Sequence, residues 1–221
     1  MVGMAALGGR SQFGHGLILA GKFDIRWRHF MADQVTILGI AGSLRKTSYN
    51  KGALRAAQKL CPAGARLDIY DIAGLPHYNQ DEERNPTPKV IDFKQRIRAA
   101  DAILIATPEY NYGIAGVLKN AIDCASRPYG DSAWNGKPVA VISASVGLFG
   151  GVRAQYQLRQ CFIYLGMEAV LQPEVAIGNA AQRFDEQGNL TDDQSRQLIS
   201  QLLGNLLDKA RRMKLPLRAA P

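Results

Sequence analysis

The amino-acid sequence predicts an α/β fold built on a parallel sheet, and three observations predict it. From residue 35 onward, short apolar runs alternate five times with segments of helical period, the order that feeds parallel strands through crossover helices. Runs such as residues 102–106 (AILIA) and 138–143 (PVAVIS) are apolar with little alternation, as strands covered on both faces are. Three of the runs open into loops rich in glycine, serine or proline, at the carboxyl ends where open parallel sheets hold ligands.

The first strand is residues 35–41, closed by Gly42 and Ser43. Asn50 reads as the N-cap of the helix that follows, with Ala53, Ala56, Ala57 and Leu60 on one face and Cys61-Pro62 as its end. A second strand occupies residues 66–70. A polar stretch with Pro86 and Pro88 leads into a helix that places Val90, Phe93 and Ile97 together, and residues 102–106 form the third strand. A helix over residues 116–126, a strand over 138–143, a helix over 152–165 and a last strand within 168–177 continue the series. For the final helix, Thr191 with Gln194 reads as a capping box, and Asp192 and Asp193 suit the positive end of the dipole. Leu198, Ile199, Leu202, Leu203, Leu206 and Ala210 supply its apolar face. Lys209, Arg211 and Arg212 fall in its last turn, where exposed cations gain about 0.3–1 kcal/mol each.

Charge and composition narrow the class. The 221 residues hold 27 Lys and Arg against 19 Asp and Glu, a formal net charge of +8. Residues 1–30 carry four bases and one acid, and residues 209–221 carry five bases and no acid, so the excess sits at the two ends and the body is neutral. Neither a nucleic-acid-binding face nor a membrane partner is expected from such a distribution. A composition of 47% hydrophobic and 21% charged residues supplies one core and excludes disorder throughout and collagen. No apolar run approaches the roughly 18 residues that cross a bilayer, and a soluble, cytoplasmic protein is expected. Cys61, Cys124 and Cys161 are odd in number and far apart, which fits small buried hydrophobes rather than disulfides or a zinc site. Residues 1–30 lack a sustained period and read as a disordered extension, or as the product of a start upstream of Met31. The domain is expected over 31–213, with 214–221 a flexible basic tail.

Chemistry should lie in the loops after residues 41, 106 and 143. The first, residues 42–50 (GSLRKTSYN), runs from a strand into a helix N-terminus with hydroxyls at Ser43, Thr47 and Ser48 and cations at Arg45 and Lys46. Unpaired helix N–H groups, directed hydroxyls and a guanidinium together make an anion site. It lacks both Gly-x-Gly-x-x-Gly and Gly-x-x-x-x-Gly-Lys-[Ser/Thr], so it suits a monoester phosphate, such as that of FMN, better than a dinucleotide or a triphosphate. The second loop, residues 107–116 (TPEYNYGIAG), can frame a flat heterocycle with Pro108, Tyr110 and Tyr112, while Glu109 is either a general base or a brace for the loop. The third, residues 143–151 (SASVGLFGG), is not the Gly-x-Ser-x-Gly elbow of a hydrolase. With His15 and His29 in the leader, His77 is alone in the body, which leaves a triad or a histidine-rich metal site hard to assemble and points to cofactor chemistry.

Taken together, residues 42–50, Pro108-Glu109-Tyr110-Asn111-Tyr112 and residues 145–151 (SVGLFGG) resemble the NADPH-dependent FMN reductases, in particular the bacterial quinone and chromate reductases. The resemblance runs from about residue 35 to 213 and includes residues 118–123 (LKNAID) and 155–160 (QYQLRQ). It implies a flavodoxin-like three-layer sandwich with a five-stranded parallel sheet in the order 2-1-3-4-5, binding FMN without a covalent bond. It places Ser43, Arg45, Lys46, Ser48, Tyr49 and Asn50 around the phosphate, and Pro108, Glu109, Tyr110, Asn111, Ser145 and Gly147 at the isoalloxazine, with no side chain as nucleophile. The implied activity is hydride transfer from NADPH or NADH through flavin N5 to quinones, chromate or related small acceptors by a ping-pong scheme. A flavodoxin-type electron carrier without direct NAD(P)H turnover is the alternative. The family's dimers or tetramers would put Arg153, Gln155, Tyr156 and Glu174 at a subunit contact.

Overall fold

A computed structural model of the chain describes residues 34–215, so the expectations for residues 1–30 and for the end of the tail fall outside the described residues. In chain order, β1 (Val35–Ala41) leads to α1 (Tyr49–Lys59), β2 (Ala65–Tyr70), α2 (Pro88–Ala99) and β3 (Ala102–Thr107). Two short strands, β4 (Glu109–Tyr110) and β5 (Gly113–Ile114), form a hairpin before α3 (Gly116–Ser126). Next come β6 (Pro138–Ala144), α4 (Val152–Leu165), β7 (Glu168–Ala169), β8 (Val175–Ile177) and α5 (Asp193–Lys214).

The main sheet is parallel and ordered β2-β1-β3-β6, with β7 and β8 both paired to the far side of β6. The expected order holds, but its fifth place is shared by two short strands instead of one. Between them lie residues 170–174 (VLQPE), where Pro173 has no N–H to give to a ladder. Every residue of β3 and β6 is buried, as the unbroken apolar runs require.

Side chains on the two faces of the sheet form two cores. Val35, Ile37, Leu104 and Ile142 point to one face with small Ala102, Ala106, Ala140 and Ala144, and α1 and α5 pack there. Leu38, Ile40, Ile103, Ile105, Val139 and Val141 point to the other, against α2, α3 and α4. On that side Trp134 is fully buried, donates through Nε1 to Ile122 O at 3.0 Å and meets Phe93 edge-on at 5.8 Å. The result is a three-layer sandwich, helices on both sides of one sheet.

Two helix starts differ from the sequence expectation by the same mechanism. The N-cap of α1 is Ser48, whose Oγ accepts from Lys51 N–H at 3.4 Å, and Asn50 lies inside the helix. The N-cap of α5 is Asp192, whose Oδ2 accepts from Ser195 N–H at 2.8 Å; Thr191 instead donates its hydroxyl to Arg183 O. In each case two neighbouring residues were competent caps, and a tertiary partner claimed one of them. At the far end of α5, Lys209 pairs with Glu168 and Lys214 with Asp101, so cations of the basic end serve local contacts. Burial raises the thiol pKa of Cys61, Cys124 and Cys161, and all three are free.

Candidate cofactor and active site

Parallel register brings the three loops to one edge of the sheet. Ala41 pairs with Ala106 and Thr107 with Ser143, so β1, β3 and β6 end side by side. Gly42 N–H donates to Ala106 O at 2.8 Å. A Cβ at Gly42 would sit 2.8 Å from the Leu118 side chain and 3.1 Å from Pro108, so a bare backbone is what lets the first loop lie against the second.

In the first loop Ser43 and Ser48 are buried, while Arg45, Lys46 and Thr47 face solvent. Ser43 Oγ accepts from Arg45 N–H at 3.4 Å and Ser48 caps α1. Among the described residues, the N–H groups of Tyr49 and Asn50, the first two of α1, have no acceptor, and the first turn holds no acid. These orphan donors at the positive end of the dipole attract an anion. Arg45 lies 5.3 Å from the centre of the Tyr49 ring and forms no ion pair among the described residues. The Asn50 side chain is committed elsewhere. Its Nδ2 donates to Ala144 O and its Oδ1 accepts from Ala144 N–H, both at 2.9 Å and buried, so this residue ties the first loop to the root of the third. What it leaves open to a ligand is therefore the main-chain N–H, not the carboxamide.

The second loop is the β4–β5 hairpin, with Glu109 opposite Ile114 and Tyr110 opposite Gly113. Its two turn residues, Asn111 and Tyr112, have φ of 50° and 65°, the left-handed pair of a type I′ turn. Gln157 closes it from α4, donating to Tyr112 O and accepting from Ile114 N–H, both at 3.1 Å. The Glu109 carboxylate is nearly buried and accepts from Arg153 N–H at 3.0 Å, from its Nε at 2.6 Å, and pairs with its Nη2 at 2.6 Å. Both oxygens are thus occupied, and of the two roles open to Glu109 the geometry is that of a brace. The Arg153 guanidinium in turn lies 3.8 Å from the Tyr112 ring centre and 5.2 Å from that of Phe149.

The third loop is held by backbone contacts to the segment after β8. Ser145 N–H donates to Ile177 O, and Ala180 N–H and Asn179 N–H donate to Ser145 O and Gly147 O, all at 3.0–3.2 Å. Ser145 Oγ accepts from Gly147 N–H at 3.2 Å. Gly178 packs so closely on Leu148 O that no side chain fits there, and Gly150 and Gly151 adopt φ of 61° and 90° on the way into α4. Gln155, expected at a subunit contact, is instead buried inside the protomer and donates to Ser143 Oγ at 2.7 Å and Val175 O at 2.9 Å. Its position one turn into α4 points it at β6, whereas Tyr156 and Glu174 are exposed and 3.4 Å apart.

Sequence reasoning missed the bracing roles of Arg153 and Gln157 and the part played by Gly178 and Asn179. The first two act across some 44 residues, with no local signal. Around the three loops stand the exposed apolar side chains of Leu44, Tyr110, Tyr112, Val146, Leu148 and Phe149, a rim suited to a flat, partly apolar ligand. Among the described residues no three His, Cys, Asp or Glu come together as a metal site would need.

The comparisons with known proteins decide the family. A family model described as NADPH-dependent FMN reductase matches residues 35–182, which span all three loops. The chain belongs to the NADPH-dependent FMN reductase family. It is 49% identical over 185 residues to an NAD(P)H-dependent FMN reductase of Pseudomonas aeruginosa, covering 83% of this chain and all of that one. A quinone reductase of Pseudomonas putida is 45% identical over 163 residues, covering 73% and 88% of the two chains. Among solved structures, the flavoenzyme NAD(P)H:(acceptor) oxidoreductase FerB from Paracoccus denitrificans superposes with a TM-score of 0.75 at 35% identity, over 82% of this chain and all of that one. Membership makes this family member an oxidoreductase with a flavodoxin-like fold.

Proposed function

We propose that this reductase binds FMN non-covalently at the three loops and passes electrons from NADPH or NADH to small acceptors, with quinones first and chromate as a further candidate. The observation that carries the reading is the first loop. Among the described residues, two N–H groups without acceptors, two buried hydroxyls and two cations without ion pairs converge on the N-terminus of α1, and an exposed aromatic rim adjoins them. Those donors fit a monoester phosphate, and the rim fits a flat ring system. The names of the relatives favour a reductase over a bare electron carrier.

Bound FMN would supply two-electron hydride chemistry at N5, alternating between NAD(P)H and an acceptor in a ping-pong scheme. The chain's own residues bind and orient. Ser43, Ser48, Arg45, Lys46 and the N–H groups of Tyr49 and Asn50 hold the phosphate. Pro108, Glu109, Tyr110 and Asn111 set the edge of the ring site. Ser145 and Gly147 offer a polar edge across from it, where a donor would stabilise negative charge on a reduced ring. The exposed Tyr110, Tyr112 and Phe149 would flank the face open to the substrates.

Purified protein should be yellow, and anaerobic NADPH should bleach it directly; a bound flavin that NADPH leaves oxidised would mark an electron carrier. Arg45→Ala should weaken FMN binding by about 1.5–3 kcal/mol, the worth of a charged hydrogen bond. Unchanged affinity in an equilibrium titration refutes the phosphate assignment. Self-association as a dimer or tetramer belongs to the same reading. Tyr156, Ile163 and Tyr164 form an exposed apolar stripe on α4, beside a groove shared with α3. Sedimentation of Ile163→Glu against the wild type tests it, with a monomer expected for the variant.

A further inference from the structure

Behind the first loop, on the side away from the second, lies a groove of about 440 Å³. One wall is Arg45, Lys46 and Tyr49, continued by Arg55 nearly two turns further along α1. The other is the turn carrying Asp185, Glu186 and Gly188. This second wall is fixed. Arg55 Nη2 donates to Gly188 O at 2.8 Å, and Gly52 offers bare backbone where the turn presses on α1. Phe184 packs on Tyr49 with ring centres 5.1 Å apart. Within the turn, Asp185 Oδ1 and Oδ2 accept from Asn189 N–H at 2.7 Å and Nδ2 at 3.0 Å, so that carboxylate is spent on the turn itself.

The charges facing the groove are unequal in availability. Arg45, Lys46 and Arg55 form no ion pair among the described residues, and Glu186 is the one carboxylate of the groove without a partner there. A rigid, net positive groove with an aromatic floor, opening from the same loop as the phosphate cradle, fits a phosphorylated nucleoside. In nucleotide sites, cations accept a ribose 2′-phosphate, and a carboxylate opposes it and favours the free 2′-hydroxyl.

We propose that this groove holds the 2′-phosphoadenosine end of NADPH, with Arg55 drawing the phosphate and Glu186 opposing it, so that Glu186 sets how far NADPH is favoured over NADH. The inference rests on the proposed reductase reading and deepens it by naming where the second half of the nucleotide lies. It calls on Arg45 and Lys46 only at the shared edge of the two sites.

The test uses FMN-loaded protein, NADPH and NADH as substrates, and 2′,5′-ADP and 5′-AMP as competing probes. Glu186→Lys, an exposed change outside the cofactor loops, should raise the ratio of kcat/KM for NADPH to that for NADH by about threefold or more at low salt, an effect that fades with salt. Arg55→Leu should lower the same ratio, and 2′,5′-ADP should compete better than 5′-AMP against NADPH in the wild type. Turnover with both nucleotides at an unmoved ratio in Glu186→Lys, or equal inhibition by the two probes, overturns the inference and leaves the reductase reading in place. Yellow protein that oxidises neither nucleotide overturns both. Should Arg55→Leu fail to fold for want of its bond to Gly188, the charge reversal and the probes still decide.

Discussion

Replacing Asn50 by alanine removes a side chain that bonds the first loop to the third, and the cost can be worked from its two contacts. The truncation leaves Ala144 N–H and Ala144 O, both buried, without partners. Each orphaned group costs about 1–3 kcal/mol, and water entering the vacated space returns part of the sum, so a loss of about 2–4 kcal/mol is expected. Urea unfolding of the cofactor-free protein, followed by circular dichroism with an unchanged slope, measures it. Asn50→Asp sharpens the comparison: it keeps the acceptor for Ala144 N–H but sets a carboxylate oxygen against Ala144 O, and should destabilise at least as much. If cofactor-free Asn50→Ala stays within about 0.5 kcal/mol of wild type while FMN affinity collapses, the carboxamide serves the ligand and the bracing argument is refuted.

Three other outcomes are expected. Glu109→Gln should cost about 1–3 kcal/mol through weakened bonds to Arg153, yet lower turnover of the FMN-loaded enzyme by less than the 100-fold or more that loss of a general base brings; a larger fall with unchanged stability would restore the catalytic role. Asp192→Ala should cost about 1–2 kcal/mol at neutral pH as a lost N-cap. Hydrogen bonds from Ser195, with Arg183 nearby, hold the Asp192 pKa below the usual carboxylate value, so the unfolded chain takes up its proton first as the pH falls. The stabilisation is therefore complete above the ordinary aspartate range and is lost toward the lower folded value; a gap between variant and wild type that widens in acid contradicts this. Trp134→Ala should cost about 3–5 kcal/mol by thermal or chemical unfolding, with FMN stoichiometry unchanged in the folded fraction, because the indole lies in the α2–α4 core away from the loops.

Much of the fold was legible because the sheet is covered on both sides. Residues 35–41, 102–106 and 138–143 have little choice but to be central strands, and the helices expected at about 116–126 and about 152–165 are α3 and α4. Where two capping residues stood near each other, local signals could not rank them. Ser48 and Asn50 are equivalent until Ala144 is in place, 94 residues away, and Asp192 displaces Thr191 through its contacts with Ser195 and Arg183. The division of the last strand turned equally on one proline, Pro173, within residues 168–177. At the site, chemistry-bearing loops announced themselves by composition, but the residues that brace them did not. The resemblance puts Arg153 at a subunit contact and gives Gln157 no role, and only the folded hairpin shows both as its braces.

The hairpin at Asn111 and Tyr112 also restricts what sequences can occupy it. Left-handed backbone is tolerable for asparagine but costs a tyrosine about 1 kcal/mol or more, which the ring's position under Arg153 offsets. Glycine at 112 would relax the backbone and strip the guanidinium of its platform, while a β-branched residue would suffer on both counts. Position 112 is thus a compromise between chain conformation and side-chain stacking, and substitutions there should be far fewer than its exposure to solvent would imply.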